Sequence, residues 1–180
     1  MGELCDIYDR AVRRTGGVFI RGSRLGPGQY QLAANLWIFN RRGFLLIQRR
    51  SARKEYLPGI WATHGGGVRA DETARQACVR EAREEIGIRV NPAAPHYLFR
   101  DESADEHLIV ENFIVCREYD AASAVLQPEE VSELRWATPA EIRLLQREGR
   151  FFRYFHLDMV ENYMARHRET CGCRGDYTAT

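Results

Sequence analysis

The sequence predicts a single α/β domain, and three observations lead to that prediction. Apolar runs bounded by turn residues predict strands at 31–39 and 44–49. Apolar residues four apart predict an amphipathic helix over 71–87, and strand-like runs resume after it. At 180 residues the chain can bury one sizeable core. We therefore expect one domain over 1–170, with 171–180 as a disordered tail.

Strands precede and follow this helix in chain order. Two short segments, 4–9 and 16–22, are expected to pair as a hairpin before the core. Leu45, Leu46 and Ile47 form a continuous apolar run, which predicts a strand covered on both faces. The remaining predicted elements are strands at 97–100, 107–117 and 131–136, a helix capped by Thr138, and a final aromatic helix over 152–167.

The predicted helix over 71–87 is defined by its ends and by its apolar stripe. Asp71 is a suitable N-cap, and Gly87 tolerates the left-handed conformation that ends a helix. Ala77 is on the acidic side, where its small side chain is expected to leave room for a ligand. The segment 64–67 is expected to be a loop whose glycines let the backbone approach a metal or a phosphate. The stripe expected to pack on a sheet consists of Ala74, Cys78, Ala82 and Ile86.

Three carboxylates lie near the end of this helix, in an electrostatically unfavourable place. Glu81, Glu84 and Glu85 are at helical spacing, and a helix C-terminus carries partial negative charge. Like charges three or four residues apart also repel, by roughly 0.2–0.5 kcal/mol per pair. A bound divalent cation would relieve this repulsion, and acids alone select a hard ion such as Mg²⁺, with Mn²⁺ as a substitute. The alternative is a solvated charged face, which is common on helix surfaces.

The residues around these acids resemble the Nudix box, G-x5-E-x7-R-E-U-x-E-E-x-G-U, in which U is a bulky apolar residue. The residues in register are Gly66, Glu72, Arg80, Glu81, Glu84, Glu85, Gly87 and Ile88. Ala82 at the first U is smaller than usual, which affects only local packing. The resemblance implies an α/β/α sandwich with a mixed sheet and the box helix. It also implies a hydrolase that cleaves a diphosphate linkage in a nucleoside diphosphate derivative or a related small molecule.

The resemblance further implies roles for individual residues. Glu72 and Arg80 would orient the metal ligands without touching the metal. A water activated by the metal would then attack a phosphorus, with charge neutralisation providing most of the rate. The implied metal ligands are Glu81, Glu84, Glu85 and the carbonyl of Gly65.

The general base is left open. Glu111, on a predicted strand, could accept the proton of the attacking water, and with Glu81 and Glu84 it makes up the expected catalytic set. The alternative for Glu111 is an ordinary outward-facing strand acid. Glu129 and Glu130 on the following loop are further candidates, since many hydrolases of this kind place the base on a loop. A base must reach its water within about 2.6–3.2 Å, so geometry has to decide.

Segments outside the box resemble the branch of the family related to isopentenyl diphosphate isomerase, over residues 3–150. Isomerisation is therefore a rival function. The isomerase uses a catalytic Cys where this chain has Gly66, and metal-binding histidines where it has Gln31 and Val68. Because glycine cannot replace a thiol as a proton donor, we expect hydrolase chemistry. The flanking matches begin at Asn35, Leu46, Leu57 and Glu130.

Three residues are candidates for binding the substrate. Arg49 and Arg50 could each hold a phosphate by a bidentate contact, with an ordinary surface role as the alternative. Trp61 could stack on a base, although a core position is the favoured interpretation. His64 could contact phosphate or metal, or could be structural. The sequence does not identify the substrate.

Composition limits the other expectations. The net charge of +1 gives no sign of nucleic-acid binding. No apolar run approaches the ~20 residues that span a membrane, and the N-terminus has no signal-peptide core. We expect a cytoplasmic protein that binds a small-molecule diphosphate. The sequence leaves the oligomeric state open, with a homodimer through the aromatic last helix and the N-terminal segment as one alternative. A non-catalytic sensor that binds a nucleotide is a further alternative, which release of phosphate would exclude.

Overall fold

A mixed seven-stranded sheet forms the centre of the structure, a computed structural model that describes residues 2–170. The strands are β1 Leu4–Tyr8, β2 Arg14–Ile20, β3 Gln31–Phe39, β4 Leu45–Arg50, β5 Trp61–Ala62, β6 His64–Gly67, β7 His96–Ser103, β8 Leu108–Cys116 and β9 Val131–Ala137. The helices are α1 Ala74–Ile86, α2 Pro139–Arg147 and α3 Leu157–His167. Within the described residues, no helix is long and apolar enough to cross a bilayer. The expected tail, 171–180, lies outside the described residues.

Strand β3 organises the sheet. It pairs in parallel with β8 along its whole length, from Gln31 opposite Leu108 to Phe39 opposite Cys116. Its other edge is shared, because the first half pairs antiparallel with β6 and the last two residues pair with β4. Strands β5 and β9 pair with β4, and β7 pairs with β8. The predicted hairpin is confirmed as a separate antiparallel pair, β1 and β2.

Helices cover both faces of the main sheet, which confirms the α/β/α sandwich. On one face α1 packs on the even-numbered residues of β3, and on the other α2 and α3 pack with Trp37 and Phe39. Leu46 belongs to the first core, whereas Leu45 and Ile47 belong to the second. The prediction that β4 is buried on both faces is therefore confirmed. Each large side chain buried in this way contributes about 1.5–3 kcal/mol.

Helix α1 begins later than predicted. Its N-cap is Thr73, whose hydroxyl accepts from the Gln76 N–H while the Gln76 side chain accepts from the Thr73 N–H. Asp71 was the wrong N-cap, because its φ of 63° is left-handed and an N-cap needs extended backbone. Gly87, with a φ of 74°, ends the helix as predicted.

The apolar stripe of α1 is confirmed, since all four of its predicted members are buried. The prediction that Ala77 leaves room for a ligand is wrong, because this residue is fully buried in the core. The expected loop at 64–67 is strand β6, because the free edge of β3 pairs with its backbone from Leu36 to Ala33. The last helix begins at Leu157, not at 152.

Replacing Thr73 by Ala should lower the free energy of unfolding by ~1 kcal/mol, because an N–H in the first turn of α1 loses its acceptor. The midpoint of urea denaturation measures this change. Thr73→Ser keeps the hydroxyl and should stay close to the parent protein. An Ala variant as stable as the parent would contradict the capping contact.

Candidate active site

Strand β6 lets the acids of α1 approach the backbone of the sheet. A Cβ added at Gly66 would lie 2.5 Å from Cδ of Glu81, so this carboxyl group packs directly on the glycine. A Cβ at Gly65 would overlap the Ala34 carbonyl oxygen and would lie 2.6 Å from Oδ1 of Asn35. A side chain at Gly65 would therefore clash with β3, and one at Gly66 would displace the carboxyl group of Glu81.

Glu85 is the most deeply buried of the three acids, with a relative exposure of 5%. Its Oε2 accepts from Nε2 of Gln48 at 2.9 Å, and the Gly65 N–H also donates to the carboxylate. Burial raises the pKa of Glu85 to about 8, and the charges of Glu81 and Glu130 act in the same direction. Both hydrogen bonds come from neutral groups, so the negative charge is poorly compensated.

Arg80 holds the other acids of the box. Its guanidinium donates to Glu72 at 2.8 and 2.9 Å, to Glu81 at 2.7 Å and to Glu84 at 3.1 Å. It also donates to the Gly67 carbonyl at 3.0 Å, which ties α1 to β6. Burial opposes the charge of Arg80, but the hydrogen bond and charge of Glu72 and of Glu81 raise its pKa overall. These contacts are those expected of a pair, Glu72 and Arg80, that orients metal ligands.

The donor set fits a hard divalent cation. The expected ligands are all oxygens, which Mg²⁺ and Mn²⁺ prefer. Burial raises the pKa of Glu81 as well as that of Glu85, so added positive charge would stabilise both carboxylates. Among residues 2–170, no three His, Cys, Asp or Glu side chains already converge as metal ligands. Arg80 holds Glu81 and Glu84, whereas Gln48 holds Glu85.

The three candidate bases lie in different environments. Glu111 is opposite Ala34 in β8, on the α1 face of the sheet, and its carboxylate is 3.7 Å from Arg100. Glu129 is largely exposed and pairs with an arginine. Glu130 pairs with Lys54, and its charge raises the pKa of Glu85. The charge of Glu130 therefore acts on Glu85, an expected metal ligand. Glu111 is in an ion pair on the α1 face of the sheet.

A cavity of about 520 Å³ opens on the face of the sheet opposite α1. The glycines of β6 line it, so they separate the acids of α1 from the cavity without side chains of their own. Three arginines in the lining, Arg21, Arg50 and Arg153, provide positive charge, and three acids, Asp101, Glu102 and Glu106, line the same cavity. Two exposed aromatic rings, Tyr56 and Phe155, are also in the lining. The cavity can therefore accept an anionic group beside the glycines and a larger moiety farther out.

The predicted substrate-binding residues have different positions. Arg50 lines the cavity and donates to the Tyr56 carbonyl at 2.9 and 3.1 Å. Arg49 is outside the lining, where it donates to the Gly59 carbonyl at 3.1 Å. Trp61 is a core residue with 5% exposure, which contradicts a substrate-stacking role and agrees with the favoured interpretation. Arg50 alone of the three remains a candidate.

Arg21 is a residue that the sequence did not indicate. Its guanidinium lies where a Cβ of Gly67 would be, and its charge lowers the pKa of Glu81 against the larger effect of burial. It also forms an ion pair with Glu3 at 2.8 Å. Arg21 follows the N-terminal hairpin, and no sequence pattern connects it with residues more than forty positions later.

Gln48 and His64 form a buried polar pair beside the acids. Nδ1 of His64 is 2.8 Å from Oε1 of Gln48, and both side chains are almost fully buried. Burial lowers the pKa of His64 to about 4, so the ring is neutral. His64 therefore has a structural position and does not line the cavity. The role of Gln48 was missed, because its position in an apolar strand predicted only burial.

Comparison with known proteins identifies the same domain. The NUDIX domain family matches residues 29–156. The uncharacterized Nudix hydrolase lmo0368 of Listeria monocytogenes is 32% identical over 164 residues, which are 89% of this chain and 94% of that protein. The uncharacterized Nudix hydrolase YfcD of Salmonella typhi is 43% identical over 108 residues, 56% of this chain and 53% of its own length. An isopentenyl-diphosphate Delta-isomerase of Salmonella paratyphi B is 39% identical over 113 residues, 59% of this chain and 61% of its own.

Solved structures share the fold. The crystal structure of DR0079 from Deinococcus radiodurans has a TM-score of 0.71 at 22% identity, covering 89% of this chain and 98% of that one. The crystal structure of the MutT protein from Methanosarcina mazei Go1 has a TM-score of 0.61 at 25% identity. It covers 81% of this chain and 99% of its own. The sheet and box helix described above are therefore the shared architecture.

Replacing Gly66 by Ala should weaken binding of Mn²⁺ with little loss of stability. The added Cβ would meet the end of the Glu81 side chain, which can turn away, and not rigid backbone. The dissociation constant for Mn²⁺ and the thermal midpoint measure the two effects. Gly17→Ala is the matched control, because its Cβ would meet the tip of Ile7 at 3.3 Å and the Thr15 hydroxyl at 3.6 Å, away from the acids. Unchanged Mn²⁺ affinity in the Gly66 variant would contradict the assignment of Glu81 as a metal ligand.

Proposed function

The chain belongs to the Nudix family, and we propose that it is a Mg²⁺-dependent hydrolase of a diphosphate linkage. The substrate would be a nucleoside diphosphate derivative or a related small molecule, and Mn²⁺ would substitute for Mg²⁺. The observation that carries the proposal is a pair of carboxylates, the buried Glu85 and the partly buried Glu81, held against glycine backbone beside a cavity with arginines. Burying two acids without a cation is costly, and a metal site removes that cost.

The proposed metal ligands and the proposed phosphate-binding arginines lie on opposite sides of β6. On the α1 side the metal would be held by the expected ligands, Glu81, Glu84, Glu85 and the Gly65 carbonyl. When bound, Mg²⁺ supplies charge neutralisation at the diphosphate oxygens and polarises the attacking water. On the cavity side, Arg21 and Arg50 are suited to hold phosphate oxygens by charge-assisted hydrogen bonds.

We propose Glu130 as the general base. Its carboxylate is on the loop before β9 and is electrostatically coupled to Glu85. Neither Glu130 nor Glu111, the first candidate from the sequence, lines the cavity, and each is in an ion pair. Glu130 is preferred because its charge acts on Glu85. The ion pair with Lys54 fixes the position of the Glu130 carboxylate.

The isomerase relatives favour a second candidate, double-bond isomerisation of isopentenyl diphosphate. That chemistry needs a proton donor in the cavity. Among the described residues, no cysteine lines the cavity, and Cys5 and Cys78 are buried away from it. Hydrolysis is therefore the better supported reaction. A sensor that binds without turnover is the remaining alternative, and release of phosphate or of a monophosphate excludes it.

A panel of diphosphates, including nucleoside diphosphate derivatives and isopentenyl diphosphate, tests the activity with Mg²⁺ present. We expect hydrolysis by the parent, no isomerised product, and a strong loss of turnover in Glu84→Gln, since the amide cannot replace an anionic ligand. Glu148→Gln is the matched control: the two glutamates have similar side-chain exposures, 41% and 42%, and each pairs with an arginine. Equal turnover by parent and Glu84→Gln would refute the metal assignment.

Steady-state kinetics of two further variants identify the base. Glu130→Gln should lower kcat by ~10²–10⁴-fold, the usual contribution of a positioned base, with Mg²⁺ affinity largely retained. Glu111→Gln should stay close to the parent, because its carboxylate serves an ion pair. The reverse pattern would restore Glu111 as the base.

A further inference from the structure

A line of three buried side chains runs from α1 through β4 to β6. Nε2 of Gln48 is 2.9 Å from Oε2 of Glu85, and Oε1 of Gln48 is 2.8 Å from Nδ1 of His64. The relative exposures of the three residues are 5% for Glu85, 2% for Gln48 and 0% for His64. Neither Gln48 nor His64 lines the cavity, so direct contact with the substrate is not their role.

A cation would bind Glu85 in its ionised form, and an ionised carboxylate only accepts hydrogen bonds. In that form Gln48 turns its NH₂ group to Glu85 and its carbonyl oxygen to His64. That oxygen also only accepts, so the proton of the neutral imidazole is on Nδ1. These proton positions follow from the hydrogen-bond network. A 180° flip of the Gln48 amide would place its oxygen against the carboxylate.

This arrangement leaves one ring nitrogen unsatisfied. Nε2 of His64 is buried and makes no hydrogen bond of good geometry among residues 2–170, although the backbone of Leu46 lies close enough to the ring to raise its pKa against the larger effect of burial. Buried polar atoms without a partner are destabilising, and an apolar side chain of similar size would fill the space without that penalty. Packing alone therefore does not explain a histidine here. A local conflict of this kind, next to a functional acid, points to a role in the site.

We propose that His64 and Gln48 are positioning residues that fix the carboxylate of Glu85 for metal binding. His64 holds the amide of Gln48 in one orientation, and that amide holds one oxygen of Glu85. A carboxylate has about four acceptor sites, so the hydrogen bonds from Gln48 and Gly65 leave lone pairs for a cation. The inference rests on the metal-binding role of Glu85 proposed above and adds two residues, on β4 and β6, to its support.

The shape of the imidazole allows a sharp test with three substitutions of His64. The amide nitrogen of Asn reaches the position of Nδ1, whereas that of Gln reaches the position of Nε2. His64→Asn therefore keeps the donor to Gln48, His64→Gln moves it away, and His64→Leu removes it. Gln48→Met removes the amide while preserving length. The affinity for Mn²⁺, followed through the electron paramagnetic resonance signal of the free ion, is measured for each variant without substrate.

We expect His64→Leu, His64→Gln and Gln48→Met to weaken Mn²⁺ binding by ~10–100-fold, the usual effect of removing a group that orients a metal ligand. His64→Asn should remain close to the parent. A structural role alone would not produce rescue by Asn together with failure by Gln. Thermal unfolding without metal checks that each variant is folded, and if His64→Leu is not, the Asn and Gln pair with Gln48→Met decides.

Two results would overturn the inference while leaving the proposed function intact. One is parental Mn²⁺ affinity in Gln48→Met or in the folded variants that lack the Nδ1 donor. The other is equal weakening by every His64 variant, Asn included, which would make the ring a packing group. A parent protein that binds no Mn²⁺ would instead contradict the proposed function, and the inference with it.

Discussion

The approach of α1 to the backbone of β6 is the constraint on which the rest of the structure depends. Glu81 packs on Gly66, and a residue larger than glycine there would displace the Glu81 carboxyl group from the strand. The buried alanines on α1, Ala77 and Ala82, permit this distance, because small side chains let a helix lie close on a sheet. A bulkier residue on either side would move the carboxylates out of reach of the cavity.

The same approach creates an electrostatic problem that the fold solves only in part. Burial destabilises ionised acids, and Arg80 compensates Glu81 and Glu84 through a dense set of hydrogen bonds. Glu85 receives only neutral donors and keeps a raised pKa. The architecture therefore leaves one strongly destabilised carboxylate at the place where positive charge from outside the chain would be most favourable. A poorly compensated buried acid of this kind lowers stability and is typical of functional sites.

The glycines of β6 also connect two faces of the sheet that carry different chemistry. Acids approach from the α1 face, whereas arginines and aromatic rings line the cavity on the other face. Both reach the same stretch of backbone because β3 shares its edge between β6 and β4. Arg21 arrives from the separate N-terminal hairpin, and Arg50 from the end of β4. The cavity thus combines residues that are distant in the chain, which is common for sites placed at the junction of several elements.

The sequence by itself determined the fold class, most strands, both ends of the box pattern and the acids of α1, because these depend on local periodicity, turn residues and a spacing within one helix. It misplaced Asp71 and the strand at 64–67, because the cap depended on one backbone angle and the strand on a partner edge elsewhere in the chain. Tertiary structure alone decided that Gln48 joins Glu85 to His64, and it confirmed the favoured core position of Trp61. Such contacts depend on which strands become neighbours and which way their side chains point, and no short-range pattern carries that information.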